Sequence, residues 1–300
     1  MSPAAKTPGK LVSIVFIFIF IVPHLETERL AFPNKTGIFS GSNPRALIAI
    51  SAFISNSEFG IGSGAYQREF DRMNPGLLQS DGWRYMSETL PAVKALWKGD
   101  YEHKGKYWNF PLSTSVPKPL QKPHPPIWVA ARSPITFDFA VENECNIMSW
   151  PLTRPMSEAE LYKTRFDDSL KKYPQKQKPI FAMMRHTAVY ENEDDWEEPV
   201  KALTMVLGQF ENLFKNLGDV ENGFTKTIAL KDLENRDQYN SEMLKTNLMF
   251  GTPQEIIEKL RIYENLGVDE FIYYATFGLG IKEQKKSLEL FIDRVMPKFT

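Results

Sequence analysis

The feature that most constrains this chain is a regular alternation of short apolar segments and longer amphipathic segments, which begins at Glu58. Residues 127–131 (IWVAA) form a compact apolar segment of strand length. In the stretch before it, large apolar side chains recur at helical spacing: Trp83, Met86, Leu90, Val93 and Trp97. Residues 252–255 (TPQE) are a capping box with proline at the first helical position. This alternation predicts an α/β fold with a parallel sheet.

Composition and charge exclude several other classes of protein. The 300 residues include 42% apolar and 24% charged side chains, which is enough to bury one substantial core. The 36 basic and 37 acidic residues are intermixed and give a net charge of −1, so there is no basic stripe for nucleic acid. Cys145 is the only cysteine, which excludes an internal disulfide and offers no cysteine cluster to a metal. We therefore expect a globular protein of a reducing compartment, without a nucleic-acid partner or a metal site.

Residues 1–57 are predicted to be a divergent N-terminal segment, and residues 58–300 the main domain. An apolar run at residues 11–22 follows Lys6 and Lys10. Three interpretations stay open: a buried strand, a signal peptide or membrane anchor, and a non-native stretch from a shifted reading frame. The run is shorter than the roughly 20 residues of a transmembrane helix, and no small-residue cleavage site follows it. The strand is favoured, so we expect a cytoplasmic location, with a signal or anchor as the alternative.

A glycine-rich string at residues 60–64 (GIGSG) follows the first apolar segment of the main domain. Glycines lack the Cβ atom that would hold backbone amides away from a phosphate, so the string is a candidate phosphate-binding loop. A dinucleotide-binding fingerprint would also need an immediate helix and an acidic residue about 20 positions later, and neither follows. The alternative is a simple turn at a crowded barrel rim.

Four ordered segments carry a resemblance to a known family. Residues 59–70 (FGIGSGAYQREF) resemble the fourth strand and following loop of bacterial luciferase-like flavin-dependent monooxygenases. Residues 96–108 (LWKGDYEHKGKYW) are similar to the family's segment after the next helix. Residues 117–131 (PKPLQKPHPPIWVAA) are similar to its proline-rich approach to the fifth strand, and residues 251–269 to its seventh helix and eighth strand. The chain is identified from these segments as a member of the luciferase-like family.

The resemblance implies a TIM-like (β/α)8 barrel with reduced FMN at the carboxyl ends of the strands. It places the cofactor at the loop after strand four and at the helix that follows strand five. The matching cofactor-binding positions are Gly62, Ser63, Gly64, Ala130, Ala131, Ser133 and Thr136. Ser149 and Trp150 match positions at the end of the next strand that face the flavin ring or the substrate.

Two candidate sites, one of them new, follow from the residues themselves and not only from the resemblance. Ser133 precedes Pro134, which predicts a helix N-terminus whose free amides and positive dipole end favour an anion. His186 lies on a predicted strand and is the candidate catalytic residue, because an imidazole with a pKa of about 6.5 suits a proton donor at a barrel mouth. Arg132 and Arg185 are further candidates for contact with an anionic ligand. Each site residue has a structural alternative: a helix cap for Ser133, a packing or core role for the others.

The chain departs from the family pattern in two places. Many relatives carry arginine at the position of Ser63, and a neutral hydroxyl gives a weaker phosphate contact than a charged donor. Family members also place three β/α units and an acidic-His-His stretch before the fourth strand, whereas His24 is the sole histidine before Phe59. We therefore expect the N-terminal barrel units to be truncated or divergent.

The main functional hypothesis is a flavin-dependent monooxygenase in which reduced FMN activates O2 and a small organic substrate is oxygenated. The resemblance implies a separate flavin reductase as a partner and a homodimer as the assembly. Two alternatives stay open: hydride transfer by a reduced deazaflavin without oxygen, and a non-catalytic flavin-binding remnant of the family. Cofactor identity and O2 consumption separate the two enzymes, and flavin binding without turnover would indicate the remnant.

Overall fold

The computed structural model describes residues 58–299, with gaps at 65, 68–69, 72–75, 216–219, 222–223 and 226–238. The predicted N-terminal segment, its apolar run at residues 11–22 and the state of the N-terminal barrel units lie outside the described residues. Across the part that is described, no helix is both long and apolar enough to cross a membrane.

Short strands and longer helices alternate along the described chain. The strands are β1 (Phe59–Ile61), β2 (Tyr101–Lys104), β3 (Asn109–Ser113), β4 (Ile127–Ala130), β5 (Asn146–Ser149), β6 (Phe181–Val189), β7 (Val220–Glu221), β8 (Phe224–Thr225), β9 (Met249–Gly251) and β10 (Glu270–Tyr274). The α-helices are α1 (Gly82–Lys98), α2 (Pro134–Glu142), α3 (Met156–Lys172), α4 (Glu197–Lys215), α5 (Ser241–Asn247), α6 (Pro253–Leu266) and α7 (Ile281–Leu290).

The main sheet is parallel and follows the order of the chain. Its strands are arranged β1-β4-β5-β6-β10, and β9 pairs with the second half of β6. A helix lies between each of the first three pairs of neighbouring strands, as a parallel connection requires. The strand order never reverses, so the sheet has no switch point of the doubly wound type. This arrangement is the α/β architecture of a (β/α)8 barrel, as predicted.

The two faces of the sheet carry different clusters. One face packs against the helices and forms the main core, with Val129 and Ile147 from strands and Phe137 and Phe166 from helices. The other face carries a cluster drawn only from strands and strand ends: Ala182, Met184, Ile272 and Tyr274, packed against Trp128, Met148 and Trp150. Because side chains alternate between faces along a strand, this second face is the inner, ligand-facing side of a barrel.

Helix α6 shows how local sequence sets an element that supports the sheet. The Thr252 hydroxyl accepts from the Glu255 amide, and Glu255 Oε2 accepts from the Thr252 amide at 2.7 Å. The helix ends at Gly267, whose φ of 85° is a left-handed conformation that suits glycine. The predicted capping box and helix stop are therefore confirmed.

Candidate functional site

The residues proposed from sequence meet at the carboxyl edge of the sheet. Strand register pairs Ile61 with Val129, Ala130 with Met148, and Ser149 with Met183. The predicted positions on β1, β4 and β5 therefore follow one another across neighbouring strand ends. This is the edge at which parallel barrels hold their ligands.

A shelf of small residues lies on the inner face at this edge. Gly60, Gly62 and Ala130 are all exposed. A Cβ atom on Gly62 would lie 3.7 Å from the Cβ of Ala130, and a Cβ atom on Gly60 would meet nothing within 4 Å. The shelf, defined by these three residues, leaves room for a flat group against the strand ends.

The loop after β1 is fixed by close packing against the start of α1. Gly64 has a φ of 80°, and a Cβ atom there would lie 2.7 Å from the Phe70 ring. Gln79 Nε2 donates to the Gly64 carbonyl oxygen at 2.9 Å. The half-buried Ser63 has its carbonyl oxygen against Gly82, where any Cβ atom would clash with it. These contacts hold the predicted phosphate loop in one conformation.

A polar corner, formed by Arg132, Ser133, Thr136 and Arg165, lies at the start of α2. Ser133 is the N-cap residue and is exposed, and its side chain makes no capping hydrogen bond to the helix. The buried Thr136 hydroxyl donates to the Ser133 carbonyl at 2.8 Å and accepts from the Arg132 amide at 3.2 Å. Ser133 is therefore open to a ligand, whereas Thr136 shapes the turn from inside.

Two arginines stand at the polar corner. Arg132 Nε donates to Tyr162 Oη at 3.0 Å. Arg165, which sequence reasoning did not single out, donates from Nη1 to the Arg132 carbonyl. Two guanidinium groups beside a helix N-terminus give this corner a positive field that suits an anion such as a phosphate.

Ala131 and Ser149 lie behind the inner face. Both are completely buried, and Ser149 Oγ donates to the Ala131 carbonyl oxygen at 2.8 Å. Ser149 shares the helix-facing side with Ile147, two positions earlier on β5. The geometry gives Ser149 a supporting position under the strand ends rather than an open one.

A cluster of aromatic rings, called here the aromatic pocket, is formed by Trp150, His186, Tyr274 and Phe277 on the inner face. The His186 ring centroid lies 5.2 Å from that of Trp150, 4.7 Å from that of Tyr274 and 5.8 Å from that of Phe277. Trp150 and Tyr274 meet edge to face at 5.4 Å. Such edge-to-face and tilted ring contacts are favourable and hold the His186 ring in place.

The pKa of His186 differs from the value expected from the sequence. Burial, with a smaller contribution from the neighbouring Arg185 guanidinium, lowers the pKa of His186 to about 3. The expectation of an ordinary pKa is therefore wrong, because the residue lies among aromatic rings and not at an open barrel mouth. At neutral pH the imidazole is uncharged and can still donate one hydrogen bond through its N–H group.

The described residues fit a flavin on structural grounds. The shelf accepts a flat ring, and the polar corner offers an exposed hydroxyl and positive charge at one end. On the inner face, Trp128 Nε1 and His186 Nδ1 are buried and have no hydrogen-bond partner within the described residues. Buried polar atoms without a partner are unusual and point to a ligand or water beside them.

Several of these residues carried no distinctive sequence signal. Trp128 and Tyr274 lie in apolar segments that look like ordinary core, and only strand pairing brings them to one face, while Phe277 lies in the loop after β10. Arg185 was a candidate for an anionic ligand, but it is completely buried on the helix-facing side of β6 and binds groups of the protein itself. Among the residues the structure describes, no group of three or more His, Cys, Asp or Glu could hold a metal ion.

Fold and site together are those of an α/β barrel whose candidate ligand site lies at the carboxyl ends of its strands. Residues 57–270 match the family model for luciferase-like monooxygenases. This chain therefore belongs to the luciferase-like monooxygenase family, which confirms the family, the fold class and the enzyme class that the sequence predicted. The individual site residues stay predictions.

Individual relatives agree with this family assignment. The flavin-dependent trigonelline monooxygenase oxygenase component of Acinetobacter baylyi is 37% identical over 254 residues, which span 84% of this chain and 71% of that protein. The FMNH2-dependent dimethylsulfone monooxygenase of Pseudomonas putida is 28% identical over 243 residues, spanning 78% and 63%. Among solved structures, the monooxygenase RslO1 from Streptomyces bottropensis has a TM-score of 0.64 at 17% identity, covering 81% of this chain and 69% of that one.

Proposed function

We propose that this chain is the oxygenase component of a two-component flavin-dependent monooxygenase. It takes up reduced FMN from a separate reductase and oxygenates a small organic substrate with O2. One oxygen atom enters the substrate, the other leaves as water, and reduced FMN supplies the two electrons. The observation that carries the proposal is the open shelf at the ends of β1 and β4, next to the polar corner that follows β4 and on the same face of the sheet as the aromatic pocket.

The polar corner is the proposed site of the FMN phosphate. Ser133 offers an exposed hydroxyl at a helix N-terminus, which shares a 3.3 Å hydrogen bond with Thr136 Oγ1, while Arg132 and Arg165 add positive charge. Thr136 keeps the turn in shape through its two hydrogen bonds. The loop at Ser63 and Gly64 contributes backbone that approaches the ligand closely, since glycine there leaves no Cβ atom in the way.

The flavin ring is proposed to lie on the shelf formed by Gly60, Gly62 and Ala130. Small residues are required there because any larger side chain would occupy the space of the ring. Ala131 and Ser149 support the shelf from behind through their hydrogen bond. Bound reduced FMN supplies the activation of O2, which protein side chains cannot perform alone.

The aromatic pocket is proposed to hold the substrate, with Trp150 as a wall and His186 as the catalytic residue. A neutral His186 donates a hydrogen bond to the substrate or to an oxygen atom that develops charge during transfer. The surrounding rings exclude water and suit a small flat molecule. Because the Acinetobacter relative acts on trigonelline, trigonelline and similar small heteroaromatic compounds are the first substrates to test.

The proposed assembly is a homodimer served by a flavin reductase. The pairing with a reductase is supported by the name of the Acinetobacter relative, which is an oxygenase component. Sedimentation of the purified chain tests the homodimer. Co-elution with a flavin reductase tests the pairing with that partner.

The experiment supplies photoreduced FMN to the full chain without air, and then adds ¹⁸O2 with or without trigonelline. Absorbance follows flavin reoxidation, and mass spectrometry follows the product. We expect tight FMN binding and one ¹⁸O atom in the oxygenated product. Ala130→Leu, which fills the shelf, serves as the control and should bind FMN at least about tenfold more weakly and form correspondingly less product.

Three results would count against the proposal. Absence of flavin binding to the intact chain would remove it altogether. Binding followed only by hydrogen peroxide release with every heteroaromatic substrate would favour the non-catalytic remnant. Anaerobic hydride transfer to the substrate from a reduced deazaflavin, in place of FMN and O2, would favour the hydride-transfer alternative.

A further inference from the structure

Arg185 is the largest completely buried side chain of the described structure. It precedes His186 on β6 and therefore points to the opposite, helix-facing side of the sheet. Its guanidinium group makes no ion pair with a carboxylate among the residues described, and Nη2 has no hydrogen-bond partner there. A buried cation of this kind is costly to keep.

The Arg185 guanidinium joins three parts of the fold. Its Nε donates to Tyr263 Oη, on α6, at 2.7 Å. Its Nη1 donates to the Leu152 carbonyl at 3.0 Å and to the Arg154 carbonyl at 2.8 Å. Both carbonyls belong to the loop 151–155, which directly follows Trp150.

The loop 151–155 is fixed by hydrogen bonds from side chains of other elements. Leu152 has a φ of 56°, a left-handed conformation that is unfavourable for a side chain of its kind. Asn247 Nδ2, at the end of α5, donates to the Thr153 carbonyl at 3.1 Å. Three consecutive loop carbonyls are thus held by side chains from β6 and α5, and Arg185 supplies two of the three hydrogen bonds.

Stability alone is a poor explanation for this residue. A well-packed apolar side chain in such a place is often as stabilising as a buried charged group. An arginine adds two directed hydrogen bonds from one planar group to two carbonyls of the same loop, which an apolar side chain cannot supply. The loop it holds begins directly after Trp150, whose ring centroid lies 5.2 Å from that of His186.

We propose that Arg185 is a positioning residue for the proposed oxygenation, which it serves by fixing the loop 151–155 and hence the place of Trp150 in the aromatic pocket. This inference rests on the proposed function. Arg185 also places a fixed positive charge behind His186, which favours the neutral imidazole that the pocket holds.

The test compares Arg185→Met with Tyr263→Phe as a matched control. Arg185→Met removes both loop hydrogen bonds, whereas Tyr263→Phe removes only the contact to α6. The first readout is deuterium uptake of the peptide covering residues 151–155. The second compares the change in KM for the substrate with the change in the dissociation constant of FMN. Arg185→Lys keeps the charge and one donor and is the conservative variant.

For Arg185→Met we expect faster deuterium uptake in the loop and a KM about tenfold higher, as two lost hydrogen bonds imply, with FMN affinity within about twofold of wild type. The share of consumed O2 that appears in product should fall in parallel. Arg185→Lys should recover part of both effects, and Tyr263→Phe should stay close to wild type in both.

Unchanged deuterium uptake in Arg185→Met would overturn the proposal. So would faster uptake with an unchanged KM and unchanged coupling of O2 to product, because Arg185 would then be purely structural. If the wild-type chain oxygenates nothing, the proposed function fails, and the uptake comparison still decides whether Arg185 holds the loop. If Arg185→Met does not fold, Arg185→Lys against Tyr263→Phe gives the same comparison.

Discussion

The polar corner and the aromatic pocket differ in almost every physical respect, although they lie at the same edge of one sheet. The polar corner is built from exposed and charged groups around a helix N-terminus, with Ser133 open to solvent. The aromatic pocket is built from packed rings, and His186 within it is 3% exposed. A charged group such as a phosphate suits the first region, and a reacting centre protected from water suits the second. Variants should therefore separate cofactor binding from turnover.

The largest effect is expected at the aromatic pocket. His186→Phe keeps a ring of similar size but removes the N–H donor, so oxygenation at saturating FMN should fall about 100-fold, as for loss of a proton-donating group. FMN affinity should stay unchanged, which fluorescence titration measures. His103→Gln, in the β2–β3 hairpin, is the control. Equal turnover in His186→Phe and wild type would remove His186 from the mechanism.

A somewhat smaller effect is expected at the shelf. Ala130→Leu adds three heavy atoms where the flavin ring is proposed to lie, and overpacking costs about 1–3 kcal/mol, so FMN affinity should fall at least about tenfold. Ala130→Ser keeps the shelf small and should bind FMN nearly as well as wild type. Similar dissociation constants for the two variants would place the ring elsewhere.

The depressed pKa of His186 has a consequence for stability. Because the folded pKa is about 3 and the ordinary value is 6.5, the unfolded chain takes up a proton first as pH falls. The stability that the neutral, buried His186 contributes to the fold is therefore fully present above pH 6.5. As pH falls from 6.5 towards about 3, the free energy of unfolding decreases by about 1.4 kcal/mol per pH unit. Urea unfolding of wild type and His186→Phe at pH 7 and pH 5 measures the difference. Parallel pH dependence in the two proteins would mean that His186 is not buried as described.

The smallest effect is expected at the polar corner. Ser133→Ala removes one hydrogen bond from a neutral hydroxyl to the charged phosphate; at an exposed site we take the low end of the range for such bonds, about 1.5 kcal/mol, so FMN affinity should fall about tenfold. Turnover at saturating FMN should not change. Ser63→Ala, in the loop after β1, offers a comparison at the second proposed phosphate contact. A loss of turnover without a loss of affinity in Ser133→Ala would contradict the division between the two regions.

The sequence predicted the polar corner much better than the aromatic pocket, and the reason is distance along the chain. Residues 130–136 are contiguous, and Ser133 before Pro134 is a local helix-start signal. Trp150, His186 and Tyr274 come from three separate elements and meet only through strand register. Both faces of β6 are buried, so no polar alternation distinguished Arg185 from His186. The low pKa of His186 likewise depends on neighbours that the sequence does not place.

The shelf, the polar corner and the aromatic pocket are proposed to form one site. The most direct test is a crystal structure of the intact chain with FMN and a substrate analogue. We predict the flavin ring against Gly62 and Ala130, the phosphate at Ser133, and the analogue beside Trp150 and His186. A flavin bound away from the carboxyl edge of the sheet, or a phosphate remote from Ser133, would show that the three regions do not form one site.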